Sequence, residues 1–324
     1  MKEIGQRFNR PRHEYGSARR CAALGTSRTA DKNLKNINNI DPEKHVLIAG
    51  PTASGKSALA LEIASRQGGT IVNADALQVW ACWRILTARP APADEAAAPH
   101  KLYGHVAPGT DYSVGKWLAE VASIRASGAR LIVTGGTGLY FAALTEGLAE
   151  IPPVPPDIRR KSAERLADGG IGALLDTLDS ETLARIDQRN PVRVQRAWEV
   201  LQATGRGLAD WQGETPAPLL PISDTTALVI EADRDWLADR INRRFDAMIG
   251  TGALDEVRAV LPIWDAGALW AKAIGAPELV THLTGALPLA EAVTAAKAAT
   301  RQYAKRQRSW FRGRMSAWVP WPAR

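Results

Sequence analysis

The chain has 324 residues, of which 45% are hydrophobic and 23% are charged, a composition that supports a large buried core. This composition excludes a wholly disordered or fibrous protein, and no apolar run reaches the roughly 18 residues that a membrane helix requires. We also expect no secretory signal. The two cysteines, Cys21 and Cys82, exclude a disulfide framework or a cysteine zinc finger and favour a reducing, cytoplasmic setting.

The net charge of +7 is concentrated at the two ends of the chain. Residues 1–41 contain nine Lys or Arg against four acids, and residues 291–324 contain eight against one. The segment between them is therefore net acidic. A basic end usually contacts a polyanion or remains a solvated tail, and composition does not choose between the two.

Residues 1–42 form a polar N-terminal extension without helical or strand periodicity, and we expect it to lack regular structure. After it, apolar runs closed by glycines or polar residues predict strands, and amphipathic segments between them predict helices. The predicted elements are a strand at 46–49, a helix at 57–66, a strand at 70–73, a helix at 117–125, a strand at 130–133 and a strand at 226–230. This alternation predicts an α/β fold with a parallel sheet flanked by helices.

The pattern changes between the third and fourth predicted strands. Residues 151–156 (IPPVPP) form a stiff, extended linker, and residues 157–211 contain helical patterns only. We therefore predict a small all-helical insertion domain at 151–222. The core domain consists of 43–150 and 223–324, and its last part, from residue 233 onward, is predicted to be mostly helical.

A phosphate-binding loop follows the first strand. The sequence GPTASGKS fits the pattern G-x-x-x-x-G-K-[ST] and lies between a strand and a helix, which separates it from a chance match in a Gly/Ser loop. In such a loop, backbone N–H groups and the helix N-terminus point at phosphate oxygens, the lysine adds a charge, and Ser57 is placed to bind Mg²⁺. The loop comprises Gly50, Pro51, Thr52, Ala53, Ser54, Gly55, Lys56 and Ser57.

Asp75 is the acid that the sequence places beside this loop. Nucleotide hydrolases of this class usually carry an acid at the end of a neighbouring strand, but the strand at 130–133 continues as Thr134-Gly135-Gly136. Asp75 follows the strand at 70–73, at the carboxyl edge of the sheet, where ligands bind. The alternative is an Asx turn or a helix cap.

These motifs resemble one family. The phosphate loop and Asp75 are followed in the sequence by further motifs: Thr87–Pro90 (TARP), Gly135–Tyr140 (GGTGLY), Arg240–Phe245 (RINRRF) and the TRQYAKRQ and WFR segments within 300–312. In this order they resemble the bacterial tRNA dimethylallyltransferase family, the tRNA isopentenyltransferases, over about residues 45–313. The GGTGLY and TRQYAKRQ segments are the most specific.

The resemblance implies a P-loop NTPase-like fold and a prenyl transfer reaction. The dimethylallyl group of dimethylallyl diphosphate would move to N6 of the adenosine 3′-adjacent to the anticodon (position 37), in tRNAs that read codons starting with U. Mg²⁺ would be the cofactor. The phosphate loop would then hold a prenyl diphosphate, although such a loop is commonly described as ATP-binding.

The resemblance also implies roles for individual residues. Asp75 matches the catalytic Asp, Thr137 matches a Thr near the bridging oxygen, and Arg240 or Arg244 would contact the diphosphate. The sequence does not decide which arginine does so. The residues expected to contact the tRNA anticodon stem-loop are Asp75, Ala76, Leu77, Gln78, Thr137, Arg159, Arg193, Gln195, Arg196, Lys305, Arg306, Gln307, Arg308, Trp310 and Arg312. The family expectation is a cytoplasmic monomer.

Departures from the family pattern leave some tRNA contacts open. Ala76 and Trp80 stand where Ser and Tyr are common, and Ala276-Pro277 replaces an aromatic and a basic residue. The basic segment at 301–312, with Tyr303, Trp310 and Phe311, could bind RNA or bury its aromatic side chains in the core. Two other functions also remain open, a small-molecule kinase with a phosphate loop and an RNA-binding ATPase.

Overall fold

The computed structural model describes residues 36–323. The extension at 1–35 therefore lies outside the described residues. The strands are β1 (His45–Ala49), β2 (Thr70–Asn73), β3 (His100–Lys101), β4 (Leu131–Gly135), β5 (Thr225–Glu231) and β6 (Val319–Pro322). The helices are α1 (Lys56–Gln67), α2 (Pro92–Ala97), α3 (Val114–Ala126), α4 (Gly138–Glu146), α5 (Pro156–Leu175), α6 (Ser180–Arg185), α7 (Pro191–Thr204), α8 (Leu208–Gly213), α9 (Arg234–Gly250), α10 (Ala253–Val260), α11 (Ala276–Leu283) and α12 (Leu289–Arg314).

The six strands form one sheet in the order β3-β2-β4-β1-β5-β6, and every pair in it is parallel. Parallel sheets are covered on both faces, so their strands are continuously apolar. In β1, Val46 and Ile48 pack with α1, while Leu47 and Ala49 pack on the opposite face with α3 and α4. The predicted parallel α/β sheet is confirmed.

The four sequence-predicted strands lie within two residues of observed ones, but β3 and β6 were missed. Strand β6 has the sequence VPWP, and prolines normally argue against a strand. It lies at the edge of the sheet beside β5, where a missing N–H costs no ladder bond. The prediction that the chain is mostly helical from residue 233 onward is confirmed by α9 to α12, and β6, where Trp321 is buried, is the exception.

The start of the ordered core also differs from the sequence analysis, which assigned residues up to 42 to the extension. Ile37 and Ile40 are buried against the α1 side of the sheet, flanking a short 3-10 helix at Ile37–Asn39. The Gln67 side chain at the end of α1 donates hydrogen bonds to the backbone oxygens of both isoleucines, at 3.1 and 3.0 Å. Residues 36–41 therefore belong to the packed core.

Helices α5 to α8 occupy the predicted insertion and pack around their own apolar cluster, which includes Leu174, Val194 and Trp198. Local signals explain α7: the Asn190 side chain accepts hydrogen bonds from the Val192 and Arg193 amides at its start, and Gly205 ends it in a left-handed conformation. None of the described helices is long and apolar enough to cross a membrane.

Candidate active site

The phosphate loop connects β1 to α1 and leaves the first amides of α1 without a side-chain cap. Gly55 precedes the helix with a φ of 93°, and Ala53 has a φ of 64°, which is rare for a residue with a side chain. Strained backbone of this kind clusters at ligand sites. Uncapped N–H groups at a helix N-terminus form an anion-binding site.

Two cations, Lys56 and Arg244, face this loop. Burial and the charge of Arg244 together lower the pKa of Lys56 to about 8, although the Asp75 charge partly offsets them. The Lys56 Nζ atom lies 3.4 Å from the Pro51 carbonyl oxygen. Burial likewise lowers the pKa of Arg244 to about 10. A bound polyanion would stabilise both charged forms.

The structure distinguishes the two candidate arginines on α9. Arg244 donates a hydrogen bond to the Thr52 hydroxyl in the phosphate loop. Arg240, one turn earlier, stacks over the Trp236 ring at 5.0 Å. Arg244 is therefore the arginine that contacts the phosphate loop, and Arg240 lies one turn away from it.

Asp75 lies at the carboxyl end of β2, as predicted. The buried Asn73 side chain stabilises this turn. Its Oδ1 accepts a hydrogen bond from the Asp75 backbone amide at 2.8 Å, and its Nδ2 donates to the Asp75 backbone carbonyl oxygen at 3.0 Å. The Asp75 Oδ1 accepts a hydrogen bond from the Leu77 amide at 3.0 Å, so an Asx-type turn is indeed present. The Asp75 charge nevertheless acts on Lys56 and Arg244.

Thr137 joins the same strand ends. Its hydroxyl accepts a hydrogen bond from the Ala76 amide at 2.9 Å, and its own amide donates to the Ala74 oxygen at 3.1 Å. The hydroxyl proton of Thr137 is not used in the bond to Ala76, because that oxygen acts as acceptor. Asp75, Thr137 and the phosphate loop are therefore adjacent at one edge of the sheet.

A cleft opens beside these groups. Thr52, Asp75, Arg244 and Tyr303 supply polar groups to it, and the apolar lining consists of Leu77, Leu86, Ile241, Phe245, Met248 and Ile274. Burial and the nearby Asp75 charge raise the pKa of Tyr303, which therefore remains a neutral phenol. The cleft therefore combines charged and polar groups with a wall of apolar side chains.

Gln307, predicted to contact RNA, is instead buried, with 5% of its surface exposed. Its Oε1 accepts a hydrogen bond from the Thr52 amide at 2.8 Å, and its Nε2 donates to the Gly136 oxygen at 2.9 Å. Both ends of the amide are used inside the protein. The predicted RNA contact is therefore wrong for this side chain.

The Gln78 side chain also forms hydrogen bonds inside the protein, and for Phe311 the open alternative between RNA and core is decided for the core. The Gln78 Nε2 donates hydrogen bonds to the backbone oxygens of Thr87 and Ala88, at 2.8 and 3.0 Å. Phe311 is buried in the core. Gln78 therefore holds the TARP segment against the active site, and Phe311 is not available for stacking on a base.

Most of the other predicted RNA contacts lie at the surface. Lys305, Arg306 and Arg312 on α12 are exposed, and Arg308 is half-buried. The half-buried Trp310 ring packs over Gly138, where an added Cβ would lie 2.3 Å from it. Ala76 and Leu77 lie in the Asp75 turn, and Leu77 lines the cleft.

In the insertion, Arg159, Arg193 and Arg196 are exposed. Partial burial lowers the pKa of Arg196, and the nearby Arg159 also lowers it, while Glu199 acts in the opposite direction. The Gln195 Nε2 donates a hydrogen bond to the Ser162 hydroxyl at 2.9 Å, and this hydroxyl contacts the Glu199 carboxylate at 2.7 Å. The predicted RNA residues of the insertion thus form one cluster on α5 and α7.

Sequence reasoning missed Glu256 on α10. Its carboxylate accepts hydrogen bonds from three consecutive amides, those of residues 84, 85 and 86. Leu86 in this turn lines the cleft. No local pattern predicts this contact, because the partners lie about 170 residues apart.

The chain matches known proteins over most of its length. Residues 78–314 match the family model described as IPP transferase. A tRNA dimethylallyltransferase of Paracoccus denitrificans is 64% identical over 288 residues, which cover 87% of this chain and 95% of that protein. One of Cereibacter sphaeroides is 62% identical over 285 residues, covering 88% and 91%.

Two crystal structures are similar to this one. The tRNA isopentenylpyrophosphate transferase of Bacillus halodurans has a TM-score of 0.60 and 30% identity, with 86% of this chain and 90% of that chain covered. A eukaryotic dimethylallyltransferase acting on tRNA has a TM-score of 0.70 and 26% identity, with 83% and 70% covered. Fold and site thus define a prenyl transferase with a P-loop NTPase-like core. The chain belongs to the tRNA dimethylallyltransferase family.

Proposed function

We propose that this protein transfers the dimethylallyl group of dimethylallyl diphosphate to N6 of adenosine 37, next to the anticodon, in tRNAs that read codons starting with U. The products are N6-(dimethylallyl)adenosine and diphosphate. The observation that carries the proposal is a cleft with both polar and apolar walls, lined by Asp75 and by Thr52 of the phosphate loop, with Thr137 bonded to the turn that follows Asp75. An anionic head and a five-carbon chain match those walls.

Asp75 is the general base of the proposed reaction. The N6 amine is a poor nucleophile, because its lone pair is delocalised into the adenine ring. As N6 bonds to C1 of the dimethylallyl group, the bond between C1 and the diphosphate oxygen breaks and its electrons leave with diphosphate. The N6 proton passes to the Asp75 carboxylate, a type of assistance that contributes roughly 10²–10⁴-fold to rate.

The phosphate loop holds the leaving group. Lys56 and Arg244 supply charge, and Thr137, whose hydroxyl proton is not used on Ala76, donates to the departing oxygen. This arrangement needs no acid to activate water, which agrees with the absence of an acid at the end of β4, where Thr134 lies.

Ser57 fits the expected Mg²⁺ ion. It is the second residue of α1 and is exposed beside the loop. Within residues 36–323, no group of three His, Cys, Asp or Glu side chains forms a protein-only metal site. Mg²⁺ commonly takes one or two protein oxygens and completes its shell with substrate phosphates and water. When bound, the ion would neutralise charge on the diphosphate.

The RNA partner is the tRNA anticodon stem-loop. The protein binds it as a monomer, in the cytoplasm. The exposed cations of α12 and of the Arg159, Arg193 and Arg196 cluster supply contacts to its phosphates. An enzyme that modifies a base must remove it from its stack, and this costs least in a single-stranded loop. Position 37 meets that requirement.

The test is product analysis. The protein is incubated with an unmodified tRNA transcript and dimethylallyl diphosphate, and the nucleosides are analysed by mass spectrometry. We expect N6-(dimethylallyl)adenosine and an equal amount of diphosphate, and no product from a matched transcript with guanosine at position 37. Transfer of the γ-phosphate of ATP to a small molecule would identify a kinase instead, and RNA-stimulated ATP hydrolysis without prenyl transfer would identify an ATPase.

A further inference from the structure

We propose that Gln307 is a positioning residue for the transfer reaction, because its side-chain amide sets the spacing between the phosphate loop and the Thr137 turn. The inference rests on the proposed function and adds a residue that touches neither reactant. Gln307 lies in α12, while the two segments that it joins follow β1 and β4. It contacts both within 3.0 Å.

The chemistry of the contact requires an amide. The Thr52 N–H needs an acceptor and the Gly136 carbonyl needs a donor, so only one orientation of the Gln307 side chain satisfies both. A glutamate of the same length has no donor when ionised, and a methionine offers neither group. Because the side chain is buried, removing the amide leaves the Thr52 N–H and the Gly136 carbonyl without a partner, and this costs free energy.

The surroundings are built to admit this amide. A Cβ at Gly136 would lie 2.1 Å from the Gln307 Nε2, so a side chain there would expel it. The same Cβ would lie 3.2 Å from the Asp75 Oδ2, so the amide and the proposed base border one small space. Hydrogen bonding to both Thr137 and Gln307 also affects the pKa of Tyr303. Gln307 therefore lies among the reacting groups and not in a remote part of the core.

The effect of losing the amide follows from this geometry. The phosphate loop holds the leaving group, and the Thr137 turn holds the hydroxyl that must meet the departing oxygen. A misplacement of 1 Å between reacting groups can cost about a hundredfold in rate. Ground-state diphosphate binding depends on loop amides, Lys56 and Arg244, so it should change little. The signature is a fall in kcat without a matching fall in affinity.

The first variant is Gln307→Met, with Gln302→Met as the matched control on the exposed side of α12. We expect kcat to fall tenfold to a hundredfold at Gln307, while KM for dimethylallyl diphosphate and the calorimetric affinity for inorganic diphosphate stay within threefold of wild type. Gln302→Met should match wild type in all three. A Gln307→Met kcat within twofold of wild type would overturn the inference, as would equal losses in kcat and in diphosphate affinity.

The second variant, Gln307→Glu, decides the matter if the methionine variant does not fold. A neutral carboxyl group can donate to the Gly136 oxygen, whereas an ionised one cannot. The ratio of the Gln307→Glu kcat to the wild-type kcat should therefore rise at least fivefold as the pH falls from 9 to 6. Dividing by wild type removes the titration of the charged and titratable groups around the site, namely Lys56, Asp75, Arg244, Tyr303 and Arg306.

A ratio that stays constant with pH would overturn the positioning role, because a purely structural defect does not depend on one proton. If the wild type is active and the Gln307 variants are unimpaired, the inference fails but the proposed function stands. A wild-type protein that makes no prenylated adenosine overturns the proposed function, and the inference with it. Product analysis of the wild type therefore separates the two failures.

Discussion

The α/β core is held together by contacts between segments far apart in the sequence, whereas the helical insertion is held together by contacts between neighbouring segments. In the core, β1 pairs with β5, so that His45 lies beside Thr225. In the insertion, α5 packs on α7 around a local cluster that contains Trp198. The proposed chemistry belongs entirely to the core. Groups that must meet at ångström precision thus lie where many distant segments restrain them, and the predicted RNA contacts of the insertion lie on a unit with its own small core.

The cations of the two regions differ in the same way. Lys56 and Arg244 are half-buried and have lowered pKa values, because each loses hydration and lies near an arginine charge, that of Arg244 for Lys56 and that of Arg240 for Arg244. Arg159 and Arg193 in the insertion are exposed. The buried pair is suited to one compact anion that replaces the lost water, whereas the exposed arginines suit an RNA backbone that stays hydrated.

The largest expected effect lies in the core, at Asp75. Asp75→Ala should lower kcat roughly 10²–10⁴-fold, because the amine loses its base. Asp75→Asn should be nearly as slow, since an amide cannot take up the proton, and the affinity for dimethylallyl diphosphate should change little. Single-turnover prenylation of tRNA measures the loss, with the exposed Asp111→Asn as control. An Asn variant with most of the wild-type kcat would make Asp75 a positioning residue.

In the insertion, the double variant Arg193→Ala/Arg196→Ala should weaken tRNA binding by about tenfold to a hundredfold, because charge-assisted hydrogen bonds are lost. The dependence of log affinity on log salt should become flatter by about one unit per lost phosphate contact, while kcat at saturating tRNA stays unchanged.

The matched control for this pair is Arg160→Ala/Arg185→Ala. These two arginines pair with Glu164 and Glu181 on their own helices. Filter binding at several salt concentrations compares the two double variants. An unchanged salt slope for Arg193→Ala/Arg196→Ala would mean that these arginines do not contact RNA phosphates.

Glycines should behave differently in the two regions. Gly136→Ala in the core collides with the Gln307 side chain and should lower the free energy of unfolding by about 1–3 kcal/mol. At Gly172 in α5, nothing lies within 4 Å of an added Cβ, so Gly172→Ala should raise it by about 0.5–1 kcal/mol. Urea denaturation measures both. Changes of the same sign at both positions would contradict the contrast between regions.

The smallest expected effect is the uptake of a proton when dimethylallyl diphosphate binds. With a pKa of about 8, Lys56 is mostly neutral at pH 8.5 in the free protein. Dimethylallyl diphosphate is fully ionised at that pH and should restore the lysine charge, so binding should take up about three quarters of a proton. Calorimetry in buffers of different ionisation enthalpy measures the uptake, and Lys56→Arg should abolish it. Equal uptake by wild type and Lys56→Arg would assign the proton to another group.

Local patterns were enough to predict the sheet strands that flank the phosphate loop, the loop itself and the place of Asp75, because each depends on its neighbours in sequence. The resemblance assigned Gln307 and Gln78 to the RNA, and it gave no sign of their internal hydrogen bonds, which for Gln307 reach a loop 255 residues away. Glu256 gave no signal for the same reason. The choice of Arg244 over Arg240 also required the structure, since both occur on one helix at a spacing of one turn.

The position of β6 and β5 in the chain gives the sheet a definite order of assembly during synthesis. Strand β1 leaves the ribosome about 180 residues before its partner β5, an interval of roughly 10–40 s at ordinary elongation rates. The insertion is contiguous and can fold within that interval. The edge strand β6, which buries Trp321, is added last. One edge of β1 therefore stays unpaired in the nascent core while the whole helical insertion is synthesised. At this open edge the growing chain is most exposed to pairing with non-native strands.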